Sequence, residues 1–346
     1  MIKIRERLEK VFSAAVPELK DLEFLLGRSD PRELAEIFAF ADRVRKQFMG
    51  NGILLRGLVE FSNHCRNSCF YCGLSKNNRE LERYRLSREE IIACVEKLDS
   101  RGIKTVVLQS GEENGLDPLW LKDVIGEIKA RFEIAITLSL GERGKEEYKI
   151  WKDAGADRYL LKIESSDKEL YDSLHTGMSF ANRLRCLRDL RDLGYQVGCG
   201  NMVGLKGQTL EILARDIQFF KEENFDMIGI GPFIPHPQTR LAAQKKGDVD
   251  LTLKVLALTR IVTKNSHLPA TTALGSLEED FRIRGLKAGA NVLMPNFTPL
   301  KYKKLYEIYP GKRCISEPAG ACDLCMGSLA ASAGRSIDYS RGDSLK

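Results

Sequence analysis

The chain has 346 residues, 43% of them hydrophobic and 29% charged, which is enough apolar material for one large core. Its net charge of +6 is spread over interleaved acids and bases, as in Arg5-Glu6-Arg7-Leu8-Glu9-Lys10, and no basic run carries aromatics. Nucleic acid is therefore not expected as a partner. No apolar run reaches transmembrane length and no N-terminal h-region with a cleavage site is present, so no membrane association and a cytoplasmic location are expected.

In chain order, residues 1–50 read as three short helices, with Asp30-Pro31 marking the start of the third. A strand–helix alternation follows. Strand-like runs fall at 54–61, 103–109, 134–140, 158–163, 196–203, 227–232, 270–273 and 291–294. Amphipathic runs lie between them at 87–100, 118–131, 145–154, 180–193, 210–223 and 251–262, with Ser87 as the N-cap of the first. Eight strands alternating with helices make an α/β fold, a complete (β/α)8 TIM barrel. The expected organisation is an N-terminal helical segment at 1–50, the barrel at 51–300 and a C-terminal cysteine-containing extension at 301–346. In such a barrel the chemistry sits on loops after the strands, and polar loops do follow at Ser110–Glu113, Gly141-Glu142, Glu164–Ser166 and Gly204–Gln208. The tail, 334–346, is expected to be exposed and frayed.

Nine cysteines, an odd number, suggest metal binding rather than disulfides. Cys65, Cys69 and Cys72 follow the first strand with the spacing Cys-x3-Cys-x2-Cys and no fourth cysteine nearby. Soft thiolates suit an iron–sulfur cluster, and three of them leave one iron of a four-iron cluster open; a structural zinc site wants four closed ligands. The same spacing would set three small buried residues on one face of a helix. Arg66, Asn67 and Ser68 between them are turn formers, so a loop is expected instead. With the aromatic Tyr71 directly before the third cysteine, the motif resembles the signature of radical S-adenosylmethionine (SAM) enzymes. That resemblance implies a [4Fe–4S] cluster whose free iron takes the methionine end of SAM, and one-electron cleavage to a 5′-deoxyadenosyl radical.

The other candidates are less distinctive. Cys94, Cys186 and Cys199 read as small buried hydrophobes. Glu112, one strand from the cysteine loop, is placed to accept from the SAM ammonium. Glu164 and Arg183 form a complementary pair, the first for a ribose or ammonium and the second for the SAM carboxylate, with a surface ion pair as the plain alternative. The apolar strand Asp226–Phe233, ending in glycines, is either an adenine platform or core. No Walker A loop, no Gly-x-Gly-x-x-Gly after a strand and no His-Glu-x-x-His occurs. Cys314, Cys322 and Cys325, spaced Cys-x7-Cys-x2-Cys, make a second candidate metal site, an auxiliary cluster with its fourth position open or borrowed.

Longer motifs extend the resemblance. They include Val59-Glu-Phe-Ser-Asn-His-Cys65, Arg83-Tyr-Arg85, Leu108-Gln-Ser-Gly-Glu112, Thr137-Leu-Ser-Leu-Gly-Glu142, Met202-Val-Gly-Leu205, Asp226–Pro237, Pro269-Ala-Thr-Thr-Ala273 and Gly289–Asn296. From about residue 30 to 328 the chain is similar to the [FeFe]-hydrogenase maturase family HydE, in the group that includes biotin synthase and methylornithine synthase. The resemblance implies a long internal cavity with the cluster and SAM at one end. It implies SAM contacts from Tyr71, Ser139, Glu164 and Arg183, and a substrate cavity lined by Arg56, Gln109, Thr137, Thr271, Thr272, Met294 and Tyr309. The C-terminal triad resembles the auxiliary [2Fe–2S] site of some members. Implied partners are a small-molecule or organometallic substrate, in that family a cysteine-ligated iron carrying carbonyls and cyanide, and an electron donor such as ferredoxin or flavodoxin. Other hydrogenase maturases are implied as well. One departure stands out: Lys162-Ile163-Glu164-Ser165 replaces the family's Arg-His-Glu-Thr, losing a bidentate arginine. It bears on the substrate and not on SAM cleavage, and leaves as an alternative a HydE-like paralogue acting on another sulfur-containing or amino-acid substrate, as methylornithine synthase does; a separate alternative of another class is a non-enzymatic iron–sulfur carrier. A carrier has no need of Glu112, Glu164 and Arg183 around a barrel.

Overall fold

The computed structural model describes residues 4–317 and 322–346, of which 322–324 by backbone alone. Helices α1 (Ile4–Ser13), α2 (Leu19–Leu26) and α3 (Pro31–Met49) open the chain. Asp30 caps α3 by accepting from the backbone N–H groups of Arg32 and Glu33, with Pro31 in the first turn, and α3 runs 19 residues rather than being short. The alternation then proceeds through β1 (Gly52–Leu55), β2 (Gly57–Ser62), α4 (Arg88–Asp99), β3 (Thr105–Ser110), α5 (Pro118–Arg131), β4 (Ala135–Ser139) and α6 (Lys145–Asp153). It continues with β5 (Arg158–Leu160), α7 (Lys168–Leu174), α8 (Phe180–Asp192), β6 (Gln196–Val203), α9 (Leu210–Glu222), β7 (Met227–Pro232) and α10 (Val249–Thr263). The last elements are α11 (Thr272–Gly275), α12 (Arg282–Lys287), β8 (Val292–Leu293), α13 (Leu300–Lys303), α14 (Cys322–Ser332) and β9 (Ser336–Asp338). Ser87 and Glu90 form the reciprocal capping box of α4.

Strands β2 to β7 form a six-stranded parallel sheet in sequence order. Both of its edges carry further parallel pairings: Met227 with His267, Pro269 with Val292, and Leu58 with Asn296. The amides of Leu54, Arg56 and Leu58 donate to the carbonyls of Asn291, Leu293 and Pro295, so β1 and β8 join this path. The strand expected at 270–273 lies upstream of that range. Pairing spans only His267 to Ala270, including the Leu268 carbonyl, which accepts from the Asn291 and Val292 amides, because Pro269 supplies no N–H and Thr271 already turns the chain into α11. The helices cover the outer face, and the apolar residues of both layers make one continuous core. Among the described residues no helix is long and apolar enough to cross a membrane.

The tail is bound, not frayed. β9 pairs parallel with β1, Ile337 opposite Ile53, and Arg335 donates to the carbonyls of Ala290 and Gly52 at 2.6 and 2.8 Å. Residues 341–346 then cross the N-terminal ends of the strands. There Arg158, 3% exposed, donates to Asp343 at 2.7 Å and to the Arg341 carbonyl at 2.8 Å. Gln196 also donates to Asp343 at 3.1 Å, and the Thr105 hydroxyl donates to the Arg341 carbonyl at 2.9 Å. A charged tail looks solvated in sequence; here its charges answer polar groups at the floor of the sheet. Asp343→Ala should leave the Arg158 guanidinium short of its carboxylate. Removing one partner of a fully buried pair costs about 3–5 kcal/mol, and screening at the half-exposed Asp343 reduces this to about 1–2 kcal/mol, read as a lower urea midpoint.

Candidate functional site

The cysteine loop runs between β2 and α4 almost without ladder pairing, so its backbone groups need other partners. Backbone groups elsewhere supply several, such as the Glu112 carbonyl for the Arg66 amide and the Ile308 carbonyl for the Gly73 amide, and Arg83 supplies four more. Its Nη1 donates to the carbonyls of Asn63 (2.6 Å) and Leu74 (2.9 Å), and its Nη2 to those of Ser75 (2.8 Å) and Asn78 (3.3 Å). Asn63 ties the loop to distant chain by donating to the carbonyls of Glu82 and Leu305 while accepting from the Tyr84 amide. Gly111, after β3, passes so close to the loop that a side chain there would strike the His64 carbonyl and Cys65. Cys65, Cys69 and Cys72 are therefore held by a loop, as expected, and all three line the same cavity. Burial pushes the Cys69 thiol up to about 12, with the neighbouring Cys65 adding to it, and raises Cys65 and Cys72 as well. Three thiols close enough to raise one another ionise together only when cationic metal offsets their charge.

The cavity measures about 350 Å³ and sits inside the C-terminal ends of the strands. Alternate residues of each strand face it: Leu58 and Glu60 from β2, Val107 and Gln109 from β3, Ser139 from β4. Of the residues assigned to it from sequence, Tyr71, Glu112, Ser139, Glu164, Arg183, Gln109, Thr271, Thr272, Met294 and Tyr309 all line it. Arg56 and Thr137 do not. They face the same interior but one layer lower, lining a small void with Arg158, Gln196 and Asp226, and Arg56 donates to the Met227 sulfur at 2.7 Å. The period-2 pattern puts them on the correct face at the wrong height.

The polar wall differs from expectation in its pairings. Glu164 and Arg183 are not partners. Arg183 donates from Nε to Glu142 at 2.7 Å and also to the Lys162 carbonyl, while Glu164 faces the Lys162 ammonium at 3.0 Å. The Lys162–Glu164 contact is a charge pair without aligned hydrogen-bond geometry, since Glu164 Oε2 makes no hydrogen bond. Glu164 also has φ 64°, a left-handed conformation costly for a side chain with a Cβ. Glu112 accepts from Arg66 at 2.8 Å and from the Glu142 amide at 2.7 Å, packed against Gly141, whose φ of +75° and close approach exclude a side chain.

Several contributors were not foreseen. Tyr71 donates its hydroxyl to His175 Nε2 at 2.9 Å; because the Tyr171 carbonyl 2.8 Å from Nδ1 can only accept, the proton sits on Nδ1. Burial, with Arg183 nearby, pushes His175 down to about 4, so the ring is neutral. On the other side of the cavity Lys312 meets Glu60, 5% and 1% exposed, and Asn296 donates to Glu60 at 2.9 Å. A glutamate inside the apolar run Leu54–Phe61 was the available signal for that pair; its partner, 252 positions away, left none. Cys94, Cys186 and Cys199 are buried as expected. In the C-terminal site, burial disfavours the protonated form of Arg282, and Asp280, paired with it at 2.6 Å, favours it most, followed by Cys325 and Cys314; its Nη2 is 3.8 Å from Cys325 Sγ. The side chain of Cys322 lies outside the described residues.

Asp216 on α9 supports the Glu164 loop from behind. It accepts from the Ser166 amide and hydroxyl, both at 2.6 Å, and from Asn201 at 2.8 Å, and Asn201 bridges Glu164. Among the described residues no cation reaches this carboxylate, and burial pushes it up to about 6 despite those donors. In the folded chain Asp216 then keeps a proton that the unfolded chain loses near pH 4, so stability falls as pH rises from about 4 to about 6, by about 2–3 kcal/mol. Asp216→Asn should flatten that window in denaturant titrations, and an unchanged slope would refute the assignment.

The fold agrees with known proteins. The model of the radical SAM superfamily matches residues 59–220. A relative from Thermotoga maritima, [FeFe] hydrogenase maturase subunit HydE, is 50% identical over 290 residues, 84% of this chain and 83% of its own. The 3-methylornithine synthase of Methanosarcina acetivorans is 29% identical over 82% of this chain and 81% of its own. The crystal structure of methylornithine synthase (PylB) superposes with a TM-score of 0.85 at 25% identity, covering 96% of this chain and 97% of that one. That of HydG, a maturase of the [FeFe]-hydrogenase, gives 0.82 at 19% identity over 97% and 76%, a likeness of fold alone. With half its residues shared with HydE over most of both chains, and three thiols on one loop at the head of an α/β parallel sheet, the chain belongs to the HydE family of radical SAM enzymes.

Proposed function

We propose that the chain acts in [FeFe]-hydrogenase maturation, binding a [4Fe–4S] cluster through Cys65, Cys69 and Cys72 and SAM beside it. The observation that carries this is the meeting, in one cavity, of the three thiols with Glu112, Ser139, Glu164 and Arg183. The residues fit the group: the thiols are buried enough to need a metal's charge, and Glu164 Oε2 is a buried acceptor without a hydrogen-bond donor, suited to a ribose hydroxyl or an ammonium. When bound, the cluster supplies the electron and the open iron at which SAM is cleaved to the 5′-deoxyadenosyl radical. Arg183, fixed by Glu142 and the Lys162 carbonyl, is the cation for the SAM carboxylate. Glu112, fixed by Arg66 and the Glu142 amide, is an acceptor for the SAM ammonium. Tyr71, held by His175, forms the wall beside Cys72. The pairings through His267, Pro269, β8 and β1 support a complete eight-stranded barrel, which keeps the interior dry enough for a radical to last.

Beyond the SAM residues the cavity offers Gln109, Thr271, Thr272, Tyr309 and the pair Glu60–Lys312, a polar lining rich in hydrogen-bond donors and suited to a small polar ligand, such as a cysteine-bound iron with cyanide. The departure at Lys162-Ile163 bears on this lining through Lys162 alone. Ile163, where the family has histidine, is wholly buried in the core behind the strand. Cys314, Cys322 and Cys325 are proposed as ligands of an auxiliary [2Fe–2S] cluster, with Arg282, itself paired with Asp280, beside it. After anaerobic reconstitution with iron and sulfide, dithionite and SAM should yield 5′-deoxyadenosine. Cys69→Ala should abolish it, at least a hundredfold below the parent, and its persistence would end the cluster assignment. Cys325→Ala should lower iron content while leaving 5′-deoxyadenosine formation in place.

A further inference from the structure

Cys65 faces two spaces. One is the internal cavity; the other is an open groove of about 330 Å³ on the outside of the molecule, lined by His64, Cys65, Arg66, Lys76, Arg83, Glu113, Asn114 and Gly115. Access to a cluster cysteine from outside is no requirement for binding SAM or substrate, both of which belong to the cavity. The groove is also electrically one-sided. Arg83 spends its hydrogen bonds on four carbonyls and not on a carboxylate, so its charge stays uncompensated beside Cys65 and Cys72. Lys76 is exposed at the rim. The one acid in the lining, Glu113, is buried and paired with Arg85, and Arg66 is paired with the buried Glu112. Four cations thus stand against two carboxylates around the opening.

We propose that this groove is the docking surface for an acidic one-electron carrier protein, with Cys65 as the point where the electron enters. The proposal rests on the cluster reading above. The step moves one electron and no bond: the carrier is oxidised by one electron and the cluster is reduced by one. A positive rim raises the local concentration of an acidic partner and the rate of productive encounter, an effect that salt screens. Arg83 contributes twice, as part of the rim and as a fixed positive charge that favours arrival of negative charge at the thiolate-bound cluster.

The test uses the reconstituted full chain, without SAM, and follows bleaching of the cluster's visible absorption. The reductants are flavodoxin hydroquinone and, for comparison, photoexcited deazariboflavin, which is small and uncharged. Lys76→Glu with Gly115→Glu puts two negative charges on the rim without touching the residues that hold the loop or Glu112; a Cβ at Gly115 would meet Arg85 Nη2 and Glu113 Oε1 at 3.8 and 3.9 Å, ordinary contact distances. A control pair on the outer helices, Lys149→Glu with Lys168→Gln, makes the same change in net charge. At low salt the rim pair should slow the flavodoxin reaction about tenfold or more. The difference should shrink at high salt, with the deazariboflavin rate unchanged and the control pair within about twofold of the parent. An unchanged flavodoxin rate, an equal loss in the control pair, or an equal loss with deazariboflavin would each overturn the proposal. Adding SAM then tests the other reading separately: bleaching without 5′-deoxyadenosine would count against radical SAM chemistry and leave the docking result legible.

Discussion

One guanidinium holds the site together. The cysteine loop has to fix three side chains in a buried wall while giving up most of the ladder that fixes every neighbouring strand, and unpaired buried carbonyls cost about 1–3 kcal/mol each. Arg83 answers four of them from a single planar fork. A lysine could not reach four carbonyls in a fixed plane, and a carboxylate partner would cancel the charge that faces the thiols. The same residue thus sets the loop's shape and its electrostatics, and the positions of Cys65 and Cys72 follow from it.

Around that loop the cavity is built in layers. Each strand contributes every second residue, so height in the interior is a matter of register: Glu60, Gln109 and Ser139 stand opposite one another across β2, β3 and β4. Polar groups in the upper layer line the cavity, whereas those one step below, Arg56 and Thr137, line the void above the tail. A family resemblance between sequences transfers face reliably and height less so, because a side chain's length and neighbours decide which space it enters.

The sequence makes some of this legible and hides the rest for identifiable reasons. Strands 196–203 and 227–232 and the helix 118–131 have the bounds that apolar periodicity and caps imply, since both signals are local. The cysteine loop was legible because its spacing is short and its intervening residues form turns. What escaped was long-range. Lys312 meets Glu60, Arg183 takes Glu142 in place of Glu164, and the tail answers Arg158 and Gln196, all pairings between charges far apart in the chain. Charge in a sequence reads as solvation until a partner is known. The seventh strand was misplaced because two bridges around Pro269 carry too little pattern to register as a strand.

The C-terminal segment has a consequence for the order of events in the cell. The loop between β2 and α4 leans on late chain: Asn63 donates to the Leu305 carbonyl, the Gly73 amide to that of Ile308, and Lys312 meets Glu60 within the cavity wall. At the opposite end, residues 336–346 pair with β1 and cap Thr105, Arg158 and Gln196. A nascent chain that has emerged only as far as β8 therefore holds its three thiols on an unsupported loop above an uncovered floor. Iron and sulfide delivered at that moment would meet ligands not yet held in place. The first loop is in that sense completed late, when Leu305, Ile308 and Lys312 reach it.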